Sequence, residues 1–160
     1  MARQTTTPMS LINKIYALLA KVGSALQSPV LLVIRLYWGW HFIGTGWGKL
    51  HRLKDVTEYF ASLNIPAPHL NAIMASSTEC LGGALLILGL FSRFASFALI
   101  CCMSVAYLTA EREALLVVFS NPDKFLGADP FLFLYASVLV FAFGPGRLSL
   151  DALMGREKKA

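Results

Sequence analysis

Two charged side chains, Arg35 and Glu79, fall inside long apolar stretches of the sequence. An isolated charge at such a place costs about 2.5 to 3.5 kcal/mol in a membrane helix. His41 adds a third group there that can donate or accept a proton. An acid and a base that neutralise one another could fix the register of two helices, or they could line a polar pocket that exchanges protons with a ligand.

The distribution of apolar residues predicts that these helices cross a membrane. Of 160 residues, 56% are hydrophobic and 14% are charged, whereas soluble domains have about 25% charged residues. Four apolar blocks, each long enough for a bilayer core of about 30 Å, cover residues 28–50, 69–90, 93–110 and 129–146. We therefore expect an all-α polytopic membrane protein, with an antiparallel bundle of four transmembrane helices over residues 28–146.

The two ends of the chain are predicted to lie outside this bundle. Residues 1–8 are expected to be disordered. Residues 9–27 have an apolar face and two lysines on another side, typical of an amphipathic helix that lies in the interface or packs on the cytoplasmic end of the bundle. Residues 147–160 are a cytoplasmic tail, in which Ser149 is expected to cap a short helix with Asp151 in its first turn.

Lysine and arginine predict the orientation. Eight of them fall at the termini and between the second and third spans, against five in the other two loops. Positive residues prefer the cytoplasmic side, so both termini should be cytoplasmic. The net charge of +5 then indicates contact with lipid rather than a nucleic-acid partner.

Depth and helix faces predict that Arg35 pairs with Glu79. Counted from the ends of their spans, Arg35 lies about 9 Å, Glu79 about 16 Å and His41 about 18 Å above the cytoplasmic edge. An arginine side chain or one water can bridge the resulting gap of about 7 Å. Small residues on the same faces let the two helices approach closely; they are Gly39, Gly46, Gly82 and Gly83.

Four stretches of the chain resemble the DoxX family of small bacterial membrane proteins. They are "RLYWGWHFIGTGWGKL", the "NIPAP" loop, "ECLGGALLILGLFSRFAS" and "GPGRLSLDAL". The positions that match the family pattern are Arg35, Gly39, Gly46, Lys49, Glu79, Gly82, Gly83, Gly89, Arg93, Gly146, Arg147, Ser149 and Asp151. The resemblance implies a four-helix protein of the bacterial cytoplasmic (inner) membrane and a link to quinone chemistry and oxidative-stress complexes. It supplies no agreed catalytic residues.

A quinone site needs an apolar slot, donors to the carbonyl oxygens and a group that exchanges protons. In this chain Glu79 is the candidate for proton transfer, and Arg35 or His41 for donation to a carbonyl. The candidate ligand-binding residues are Trp38, Trp40, Phe42 and Lys49. Arg147 and Asp151, with the four glycines, are assigned structural roles.

No electron carrier is evident in the sequence. It has no dinucleotide-binding glycine motif, no pair of histidines in two spans for a haem, and no cysteine pattern for a metal. We therefore expect a quinone-associated accessory subunit, an oxidoreductase only with a partner redox protein that supplies the electrons. The alternatives are a membrane scaffold, in which the Arg35–Glu79 pair only locks helix register, and a small transporter that uses Glu79. The glycine faces leave a homo-oligomer open.

Overall fold

The computed structural model describes residues 8–155, which contain eight helices and no strand. In chain order they are α1 (Pro8–His51), α2 (Leu53–Ser62), α3 (Pro68–Leu88), α4 (Ser92–Thr109), α5 (Arg112–Leu116), α6 (Pro122–Leu126), α7 (Pro130–Phe143) and α8 (Leu150–Leu153). The all-α prediction is confirmed. Of the tail predicted to be disordered, residues 1–8, all but Pro8 lie outside the described residues, and Pro8 begins α1. Residues 156–160, the end of the C-terminal tail, also lie outside them.

Three helices, α1, α3 and α4, are long and apolar enough to cross a membrane. They correspond to the first three predicted spans. The fourth predicted span contains α7, which has 14 residues and no charged side chain. At about 21 Å, α7 is shorter than a bilayer core of about 30 Å, so a fourth crossing stays a prediction.

Helix α1 starts well before the predicted first span. It runs for 44 residues and continues through Pro29, so the predicted border at residue 27 does not appear as a break. A proline inside a helix removes one hydrogen bond, and the bonds on either side can persist.

The four apolar helices meet in one core. Helix α1 packs on α3 and α7, and α4 packs on the same two helices. The centre holds buried side chains from all four, namely Phe42, Leu86, Leu99, Met103 and Val140. Large apolar side chains cover the outside of the same helices, as expected for a surface that faces lipid.

The connections carry short helices. Helix α2 follows α1 directly and packs on α3. Between α4 and α7, the Lys124 ammonium donates to a Glu113 carboxylate oxygen at 2.9 Å and so links α5 to α6. This hydrogen bond and the charge of Lys124 hold the pKa of Glu113 below its ordinary value.

Candidate functional site

The candidate site is built on a close contact between α1 and α3. A Cβ atom added to Gly83 would lie 2.6 Å from the carbonyl oxygen of Gly39, and one added to Gly46 would lie 2.6 Å from that of Ser76. Both distances are far below ordinary van der Waals contact, so only glycine fits at these positions. The predicted packing face of α1 is therefore confirmed, and Arg35 is buried on it.

Arg35 is held by backbone carbonyls. Its Nε donates to the carbonyl of Leu86 at 2.9 Å, and Nη2 donates to that of Ile87 at 3.4 Å. Nη1 donates to the carbonyls of Pro145 and, at 3.1 Å, Leu148. One guanidinium thus joins α1, the end of α3 and the segment after α7, which is the use that its fork of five N–H donors permits.

Asp151 completes this cluster at the same end of the molecule. Its two carboxylate oxygens accept from the backbone N–H groups of Phe91 and Ser92, at 2.9 and 2.8 Å, and so satisfy the first turn of α4. Its negative charge also acts on Arg35. The predicted short helix is present as α8, and the Ser149 hydroxyl accepts from the N–H of Ala152 at 3.1 Å, as the sequence indicated.

Gly89 sits where these parts converge. Its φ of +65° ends α3 in the left-handed conformation, and a Cβ there would lie 2.6 Å from both Arg35 Nη2 and Ser149 Cβ. Its carbonyl accepts from the N–H of Asp151 at 2.9 Å. The exposed Arg147 contributes a backbone contact, since its N–H donates to the Ser28 hydroxyl at 3.1 Å.

The predicted pair of Arg35 with Glu79 is wrong, because Glu79 pairs with Lys49. The register explains this outcome. Gly39 lies opposite Gly83, so Arg35 is level with the carbonyls of the last turn of α3, and Glu79 is about 12 Å further along that helix. Side chains also lean towards the N-terminus of their own helix, which turns Arg35 away from Glu79.

The same lean brings Lys49 and Glu79 together. Lys49 Nζ lies 2.5 Å from Glu79 Oε1, and the Lys49 side chain is 37% exposed while that of Glu79 is 2% exposed. Glu79 Oε2 is buried and has no hydrogen-bond partner among residues 8–155. The arrangement is a buried carboxylate with one oxygen paired to a partly exposed lysine and the other oxygen without a partner among the described residues.

The remaining predicted ligand residues do not gather at Glu79. Phe42 belongs to the apolar core, with its ring centroid 4.7 Å from that of Phe133. Trp38 is half-buried and contacts the edge of the same ring at 5.0 Å. Trp40 is 70% exposed, and His41 is exposed beside Tyr37, with ring centroids 4.6 Å apart. The structure therefore separates His41 from the acid that it was expected to assist.

Trp40 and His41 line two shallow concavities on the outer side of α1. One, of about 360 Å³, continues over Gly44, Gly48 and Arg52, and the other, of about 430 Å³, extends towards Val33. Both are formed by one stretch of chain and face away from the core. Within the described residues, no three His, Cys, Asp or Glu side chains come together as a metal ion would need.

Two contacts were not predicted from the sequence, and the sequence carries a signal for only one of them. Lys49 shares the stripe of Arg35, Gly39 and Gly46, and the lean of helical side chains indicates that a lysine placed beyond Glu79 reaches it. The carbonyl partners of Arg35 had no such signal, because every residue carries a carbonyl and only the fold decides which ones converge.

Comparison with known proteins identifies a relative and a family of the chain. An uncharacterized protein of Haemophilus influenzae is 26% identical over 137 residues, which cover 83% of this chain and 86% of that protein. No solved structure matches the chain significantly. The DoxX family model matches residues 30–112, a range that includes Arg35, Lys49, Glu79 and the glycine contact between α1 and α3. Because this match spans just over half of the sequence, the chain belongs to the DoxX family.

Proposed function

We propose that the protein crosses the bacterial cytoplasmic membrane four times, with α1, α3, α4 and α7 as its spans and both termini in the cytoplasm. The contacts of α7 with α1 and α4 support a fourth crossing, and a short helix is accommodated by local thinning of the bilayer or by flanking residues. The excess of lysine and arginine at the termini supports the orientation. Reporter fusions at Gly155 and at Asn121 should be active on opposite sides of the membrane.

Within this frame we propose an accessory subunit of a membrane redox complex that binds a quinone head group at Glu79 and Lys49. The observation that carries this proposal is the free Oε2 of Glu79. Buried polar atoms in folded proteins nearly always have a partner. A buried carboxylate with one unused oxygen is therefore placed to accept a hydrogen bond from a quinol hydroxyl or, when protonated, to donate one to a quinone carbonyl.

The surroundings of Glu79 support a small ligand that enters from the Lys49 side. The Lys49 ammonium is partly exposed and can move between Glu79 and a ligand oxygen, since it has three donors on a flexible stem. Electrons have no carrier in this chain, so a partner protein supplies or removes them. The protein then positions the quinone and handles its proton.

A second candidate, a scaffold without a ligand, is favoured by the Arg35 cluster. All three guanidinium nitrogens of Arg35 donate to backbone carbonyls of its own chain, and such contacts stabilise the bundle without chemistry. The two candidates differ in what Glu79 does. In the scaffold, its pairing with Lys49 serves only the packing of α1 on α3.

The test is mass spectrometry of quinones that co-purify in mild detergent. The accessory-subunit proposal expects quinone in the wild type, a loss in Glu79→Gln, and no change in the control Glu113→Gln, whose carboxylate is exposed in the loop. Quinone retained by Glu79→Gln removes that residue from the site. No quinone in any variant, together with a partner redox protein captured equally by wild type and Glu79→Gln, supports the scaffold.

A further inference from the structure

The first part of α1 extends far beyond the bundle. The helix has 44 residues, which correspond to about 66 Å, against about 30 Å of hydrocarbon core. Every side chain from residue 11 to residue 27 is exposed, and burial against the other helices begins at Leu31. The alternative in which this segment packs on the cytoplasmic end of its own bundle is therefore wrong.

This projecting segment has an apolar stripe that no part of the described chain covers. Its large side chains are each about half exposed or more and recur on one side of the helix; they are Leu11, Ile12, Ile15, Leu18, Leu19, Val22 and Leu26. Lys14 and Lys21, seven residues apart, share another side. An unbroken apolar stripe of this size in water is unfavourable, so something covers it.

Charge identifies what covers the stripe. The sequence has no aspartate or glutamate before Asp55, so both lysines of the segment lack acidic neighbours along their own helix. An amphipathic helix with an apolar stripe and only positive charge fits a lipid surface with anionic head groups. A protein partner would need acidic side chains aligned with both lysines, and nothing in residues 8–155 points to one.

We propose that residues 11–27 lie on the membrane surface with the apolar stripe in the acyl-chain boundary and Lys14 and Lys21 at anionic head groups. In this proposal the bend of α1 lies at Pro29, because the missing N–H of proline leaves the carbonyl of residue 25 without its helical donor and weakens the helix there. Ser28 is fixed beside this bend, because its hydroxyl accepts from the N–H of Arg147 and Gly146 packs against its Cα. The crossing part of α1 thus stays in place while the first part turns onto the lipid.

The experiment measures water access on two sides of this segment. Leu19→Cys places a thiol on the apolar stripe and Asn13→Cys places one off the stripe, both at exposed positions that the fold does not need. The full chain, in lipid nanodiscs of phosphatidylcholine with phosphatidylglycerol, is reacted with a membrane-impermeant maleimide. The wild type, whose native thiols are Cys80, Cys101 and Cys102, measures the background.

The proposal expects Leu19→Cys to react severalfold more slowly than Asn13→Cys. The double change Lys14→Gln and Lys21→Gln should accelerate the Leu19→Cys reaction, as should nanodiscs of phosphatidylcholine alone or high salt. The control Lys54→Gln, an exposed lysine of α2, should leave the rate unchanged.

Equal rates at the two positions would mean that the segment stands in water, and the proposal fails. Protection of Leu19→Cys that is the same with neutral lipid or in detergent would mean that a second copy or another protein covers the stripe, which also overturns it. Nanodiscs expose both membrane faces, so neither result depends on the proposed orientation or on a bound quinone.

Discussion

The contact between α1 and α3 makes a sharp prediction for Gly46. Gly46→Ala adds a Cβ 2.6 Å from the carbonyl oxygen of Ser76 and 2.8 Å from the N atom of Cys80. Both atoms are backbone and cannot rotate away, so the helices must separate by about 0.8 Å to restore ordinary contact.

The expected cost follows from two opposing effects. Overpacking of this kind costs about 1 to 3 kcal/mol, and alanine in place of glycine inside a helix returns about 0.5 to 1 kcal/mol. We expect a net loss of about 1 to 2 kcal/mol in the free energy of unfolding. The matched control is Gly44→Ala in the same helix, where an added Cβ meets nothing within 4 Å, so this variant should be as stable as the wild type or more stable.

The measurement is unfolding in mixed micelles of a mild detergent and increasing dodecyl sulfate, followed by circular dichroism. Gly46→Ala should unfold at a lower fraction of dodecyl sulfate than wild type, and Gly44→Ala should not. If the two alanine variants behave alike, α1 and α3 are not packed backbone to backbone, and the register that pairs Lys49 with Glu79 loses its basis.

Three further predictions concern the charged groups. Arg35→Lys keeps the charge but loses the planar fork that serves several carbonyls, so the same unfolding assay should show a loss of at least about 2 kcal/mol; wild-type stability would exclude the carbonyl cluster. Lys49→Met leaves the Glu79 carboxylate buried and unpaired and should lower the free energy of unfolding by about 2 kcal/mol, less than for a fully buried pair because Lys49 is partly exposed. The control Lys124→Met should cause no measurable loss of stability, and equal losses in the two variants would contradict this prediction. Because the pKa of Glu113 is lowered, its hydrogen bond to Lys124 is present above the ordinary pKa of a glutamate and is lost as pH falls through the lowered value. In Lys124→Met the pKa of Glu113, measured by carbon-13 titration, should rise, and an unchanged pKa would show that the hydrogen bond is not populated.

Much of the architecture could be predicted because its signals are local. Apolar length placed the spans corresponding to α1, α3 and α4, and glycine spacing identified the face on which α1 meets α3. Ser149 as a cap and Asp151 in the first turn predict the short helix α8. Each of these features depends on residues within a few turns of one helix, where the period of 3.6 residues fixes which side chains share a face.

The pairing of the buried charges depends on how α1 packs against α3. Depths counted from the ends of two spans carry an error of a few residues, and that error is enough to exchange Arg35 for Lys49 as the partner of Glu79. The register is set instead by where Gly39 and Gly46 meet the backbone of α3, and the lean of side chains then selects the base that reaches the acid. The residues of the two spans predict that the buried acid needs a base from the first span. Which base it takes depends on how two helices slide against one another, and no pattern within either helix records that offset.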